Sequence, residues 1–96
     1  MEINGKNLPP EKKHMLLFMM LVQQYERIAK MNLGEIPNPA HNQVEVDLKA
    51  ARFAIDTLDM LRDYTKNNIS EEASEYIENT FTALNKTLTE KTDKDN

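Results

Sequence analysis

The chain reads as an all-α protein, a three-helix bundle, and three observations carry that reading. Apolar residues recur at helical spacing in three separate blocks. The blocks are divided by a Gly34–Pro39 stretch and an Asn67-Asn68 pair, both of which break helices. Glycine occurs only twice in 96 residues while charged residues reach 29%, a balance that favours helix over sheet. The expected helices span about 9–31, 48–66 and 71–90. A proline-containing loop joins the first two, and oligomerisation completes the core.

Each boundary has a local cause. Residues 1–8 are expected to form a flexible leader. Pro9 and Pro10 suit a helix start, because the first turn has no use for the N–H that proline lacks. Gly34 is placed to cap helix 1 in the left-handed conformation. Pro37 and Pro39 forbid continuation and push Ile36 and Asn38 toward extended geometry. Val44-Glu45-Val46 is expected to be a short extended stretch. Asp47 is a suitable N-cap for helix 2. Asn67 can adopt the left-handed turn that ends it. Ser70 caps helix 3, with Glu71 and Glu72 placed to complement its dipole. The polar tail 92–96 is expected to be disordered, leaving 9–91 as a single domain.

Two of the helices carry more apolar surface than one core needs. Helix 3 has a single stripe of Ala73, Tyr76, Ile77, Phe81, Leu84 and Leu88. Helix 2 has Leu48, Ala51, Ala54, Ile55, Leu58 and Leu61, and a second seam of Phe53, Met60 and Tyr64 well to one side. Helix 1 has Leu17, Phe18, Leu21, Val22, Tyr25, Ile28 and Ala29 on one face. Met15, Leu16, Met19 and Met20 lie opposite. The run Met15–Val22 reaches only about 12 Å as a helix, far short of the ~30 Å hydrocarbon core, so stable membrane insertion is not expected. A signal peptide is not expected either, because Gln23-Gln24-Tyr25-Glu26-Arg27 follows without a small-residue cleavage site. The expectation is therefore a homodimer built on Met15, Leu16, Met19, Met20, Phe53, Met60 and Tyr64. The alternatives are that the proline loop or the leader folds over this surface, or that a helix of another protein occupies it.

Composition excludes several chemistries. With no cysteine there is no disulfide, thiolate metal site or cysteine nucleophile, and a reducing, cytoplasmic compartment is expected. Residues 1–46 hold 5 basic and 5 acidic groups, while residues 47–96 hold 7 and 11 and carry the whole charge of −4. Nucleic acid is not an expected partner, since it calls for a cationic stripe. His14 and His41 each lack a second ligand at i+3 or i+4, so no metal site is assigned. Asp56, Asp59 and Asp63 share a helix face, but Arg52 and Arg62 stand close by, and the arrangement reads as a solvated, partly paired surface. Two glycines make no phosphate loop. No residue is assigned a catalytic role and no cofactor is expected.

One polar group forms a more specific candidate. Arg52 and Asp56 lie one turn apart at the edge of the main stripe of helix 2. They are placed to hold the Ile36–Pro39 loop through Asn38 and the loop carbonyls, or else to bind a small ligand there. Two functional classes follow: a self-associating interaction or structural module, and a ligand-binding protein or minor enzyme with a site between that loop and helix 2.

The chain also resembles a known family over residues 33–72. The likeness is carried by Gly34-Glu35-Ile36-Pro37-Asn38-Pro39, by Val46-Asp47-Leu48 with Ala51-Arg52, and by Ile55-Asp56-Thr57-Leu58 with Met60-Leu61. Thr65-Lys66-Asn67-Asn68 before Ile69-Ser70-Glu71-Glu72 completes it. These motifs resemble short uncharacterised bacterial proteins grouped only as a domain of unknown function. The family pattern tends to glycine where Asn67 stands, and to a leucine-richer last helix with an arginine not found here. The resemblance implies an all-helical fold and a bacterial cytoplasmic setting, with no activity, substrate or catalytic residue.

Overall fold

The computed structural model describes residues 8–95. The expected leader lies outside the described residues, except for Leu8. Three helices, α1 (Pro10–Asn32), α2 (Leu48–Tyr64) and α3 (Glu71–Asp95), pack against one another in every pairing, as a three-helix bundle. None is long and apolar enough to cross a membrane.

The helix ends follow from the residues that flank them. Pro9 holds extended backbone and Pro10 occupies the first helical position, while Lys13 N–H donates to the Pro9 carbonyl at 3.0 Å. At the far end, Gly34 N–H donates to the Met31 carbonyl and Glu35 N–H to that of Lys30, at 3.2 and 2.9 Å. This is a Schellman closure, and it places Gly34 at φ +81°. A Cβ at Gly34 would lie 2.8 Å from Val46 Cγ2, so glycine is required by space as well as by backbone angle. The Asp47 carboxylate accepts from Ala50 N–H at 3.1 Å and opens α2. The Ser70 hydroxyl accepts from Ala73 N–H at 3.1 Å and opens α3.

Two helix ends depart from expectation. α2 stops at Tyr64 rather than Lys66. The Thr65 hydroxyl donates to the Leu61 carbonyl at 2.6 Å and Asn68 N–H donates to Thr65 O, so the turn tightens early. Asn67 takes the left-handed conformation, φ +67°, as its side chain allows. α3 runs on to Asp95, beyond the expected end near Glu90. Leu88 is fully buried, and Thr92 one turn later is half-buried with its hydroxyl donating to the Leu88 carbonyl at 2.8 Å. One anchored turn thus carries helix into a segment that composition alone marks as too polar to order.

The connection 33–47 is a narrow, self-bonded loop. Isolated bridges join Leu33 to Val46 and Asn38 to Gln43, and Asp47 N–H donates to the Asn32 carbonyl at 2.8 Å. Asn38 organises the tip. Its side-chain oxygen accepts from Ala40 N–H at 2.9 Å, and its carbonyl accepts from His41 and Asn42 N–H. Asn42 supplies a second left-handed residue at φ +53°. Val44 and Val46 are exposed, and the expected extended stretch is present only as these bridges.

The core draws on all three helices and the loop. Val22, Ala29 and Leu33 meet Ala51, Ala54, Ile55 and Leu58 of α2 and Ile77, Leu84 and Leu88 of α3. Phe18, Tyr25, Ile28, Leu48, Leu61, Tyr76 and Phe81 flank them, partly buried. The expected core face of helix 1 was too wide. Leu17 and Leu21 are 45% and 38% exposed. They sit about 100–140° around the helix from Val22, and two neighbours do not cover so broad an arc.

Gly34→Ala should destabilise the fold by about 1–2 kcal/mol in urea unfolding, since it forces a left-handed alanine against Val46. Asn67→Gly should be neutral or slightly stabilising, because the backbone there already has the angle glycine prefers.

Candidate functional site

The residues singled out from sequence fall into three places. The outer side of α2, directly opposite Ala51 and Leu58, carries Phe53, Met60 and Tyr64 with exposures of 74%, 41% and 75%. Thr57 lies in the same stripe and turns its hydroxyl back to the Phe53 carbonyl at 2.8 Å, which leaves its methyl group outward. On α1, Met20 is exposed, whereas Met15, Leu16 and Met19 are half-buried. Met15 belongs partly to the fold: the Ser70 hydroxyl donates to its sulfur at 3.3 Å, tying the start of α3 to α1. The exposed apolar set also holds Leu17 and Leu21, which the helical stripe did not separate from the core, and Val44 and Val46 of the loop.

Asn38, Arg52 and Asp56 are not drawn into one cavity. Asn38 borders an open depression of about 650 Å³ with Met31, Val46, Asp47 and Lys49. Asp56 borders another of about 810 Å³ between α2 and α3, with Asp63, Lys66, Ser74 and Glu78. Arg52 and Asp56 are exposed, and among the described hydrogen bonds none joins either of them to the Ile36–Pro39 loop. The loop is instead closed by its own backbone bonds and by His41, whose Nδ1 lies 2.5 Å from Glu45 Oε1.

The polar centre that sequence reading missed is Arg62. Its guanidinium donates to Asp59 at 2.6 Å and to both oxygens of Glu78 at 3.2 and 3.3 Å. It also lies 4.2 Å from the centre of the Phe81 ring. The Asp59 hydrogen bond raises its pKa above the ordinary arginine value; desolvation opposes this and Glu78 adds to the rise. The group is thus a fixed cation that staples α2 to α3. Asp59 is its i−3 neighbour and was legible in the sequence. Glu78 and Phe81 are brought to it only by the register of α3 on α2.

Chemically, the histidines and serines of the described residues fall at separate places. His14 borders a cleft of about 590 Å³ between the first turns of α1 and α3, with Met15, Phe18, Ile69 and Ala73. His41 belongs to the loop. Ser70 is engaged as a helix cap, and Ser74 faces carboxylates without a histidine beside it. Among the described residues no three His, Asp or Glu side chains gather as metal ligands.

Arg62→Ala should lower stability by about 1–2 kcal/mol, the combined worth of exposed ion pairs and one cation–π contact. Much of that loss should vanish in high salt, where the ion pairs are screened. A double-mutant cycle with Glu78→Gln, read by urea unfolding, isolates the α2–α3 part.

Searches among curated proteins and among solved structures found no significant match. A family model described as "Domain of unknown function (DUF1844)" matches residues 15–92, which take in all of α2 and most of α1 and α3. The chain belongs to that family.

Proposed function

We propose that this protein is a small self-associating interaction module of the bacterial cytoplasm. One observation carries the self-association. Phe53, Met60 and Tyr64 occupy the side of α2 opposite the core, while the core side of the same helix is made of Ala51, Ala54, Ile55 and Leu58. Single exposed apolar residues are ordinary, but an aligned aromatic and methionine stripe on one helix is characteristic of a protein-binding surface. Met20, Leu17 and Leu21 add exposed apolar area on α1. The cytoplasmic setting is supported by the cysteine-free sequence, and the bacterial one by the motif resemblance of residues 33–72. The alternative, a ligand or catalytic site between the Ile36–Pro39 loop and α2, has weaker support, because Asn38 and Asp56 border different depressions.

Sedimentation at micromolar concentration should give a particle of about twice the 11.1 kDa chain mass. Phe53→Glu with Met60→Glu should yield a monomer of unchanged helical circular dichroism. A wild-type monomer throughout that range overturns the proposal. Arg52→Ala separates the two classes further: an exposed residue should shift stability by less than about 0.5 kcal/mol, whereas a loop or ligand anchor should also change proteolysis of residues 36–39.

A further inference from the structure

The outer stripe of α2 has a charge pattern of its own, and the pattern says how two copies meet. At 100° per residue, Phe53, Thr57, Met60 and Tyr64 form the stripe. One edge of it carries Lys49, Arg52, Asp56 and Asp63; the other carries Ala50 and the Thr57 methyl. Along the charged edge the sign changes once, basic in the first half of the helix and acidic in the second. Asp59 also lies toward this edge but is held by Arg62. Lys49, Arg52, Asp56 and Asp63 are exposed, and none of the described ion pairs involves them.

We infer that two copies of the chain pair through α2 in antiparallel orientation about a two-fold axis beside Thr57. This inference rests on the self-association proposed above and specifies its geometry. A two-fold axis perpendicular to both helices keeps the charged edges on the same side of the pair and reverses their direction. Lys49 and Arg52 of each copy then lie beside Asp63 of the other, twice over. Asp56 falls near the axis between the two Arg52 side chains. A parallel pairing has its two-fold axis along the helices and would put the two charged edges on opposite sides of the pair, leaving their charges without partners, so the pattern favours the antiparallel orientation. The apolar register agrees. Reflection about Thr57 brings Phe53 of one copy alongside Met60 of the second, and Tyr64 over Ala50 toward Val46. Thr57 is small and lets the backbones approach where the axis passes, and Ala50 leaves room for the Tyr64 of the second copy.

Charge reversal tests the orientation. Lys49→Glu with Arg52→Glu makes the edge wholly acidic, and Asp56→Lys with Asp63→Lys makes it wholly basic. Each variant alone should dimerise at least about tenfold more weakly than wild type at low salt, and an equimolar mixture should recover wild-type affinity as a heterodimer. Circular dichroism of each variant checks that the surface changes leave the fold intact. The chain has no cysteine, so single introduced cysteines report the geometry directly. Thr57→Cys should cross-link to itself through a short bismaleimide. Lys49→Cys should not, because the two positions would stand about 24 Å apart along the helices. Ready cross-linking at Lys49→Cys, or a dimer indifferent to both charge reversals, overturns the antiparallel pairing and leaves self-association standing. A wild-type monomer overturns both.

Discussion

The structure depends on how small the buried face of α2 is. Ala51 and Ala54 are completely buried there, beside Ile55 and Leu58, and Ala29 of α1 and Ala73 of α3 are buried in the same way. Alanine lets helices approach closely, but it removes little apolar area from water. The bulkier Phe53, Met60 and Tyr64 lie on the other side of the same helix. On this one element two alanines share the core with Ile55 and Leu58 while three bulkier apolar side chains stay outside it. A chain of 96 residues has little apolar burial to spare, which makes that placement informative. These outward apolar side chains are the surface on which the proposed self-association rests.

What could be read from sequence was what local chemistry decides. Gly34, Asp47, Asn67 and Ser70 act on backbone groups within a turn of themselves, and each has the capping or left-handed role its type predicts. The less legible features depend on contacts between helices. Leu17 and Leu21 have the periodicity of core residues, yet they are exposed because the neighbours cover a narrower arc than the stripe spans. Arg62 reads from sequence only as a charge beside Asp63, although its spacing of four from Leu58 and seven from Ile55 sets it on the line of the core stripe. Only the packing of α3 sets Glu78 and Phe81 against it. α3 continues past Glu90 for a related reason: Leu88 anchors the turn, and composition averaged over the tail hides that anchor.

The candidate polar group on α2 illustrates the same limit. Arg52 and Asp56 are one turn apart, and that much was certain from their spacing. Whether a loop thirteen or more residues earlier comes within reach depends on how it folds back. Here Asn38 accepts from the backbone of its own turn, and the bridges at the base and the tip of the loop pair its backbone groups with one another. The two side chains are left facing water, where their charges are available to another surface.

The closure of the 33–47 loop bears on how the chain reaches this state. Leu33 pairs with Val46 and Asp47 bonds to Asn32, so the ends of the loop are joined through contacts close in sequence. Loops of this length close with modest entropic cost and on fast timescales. The turn 65–70 between α2 and α3 is shorter still, so both neighbouring helix pairs come together through local closures and the bundle is built with little loop entropy lost.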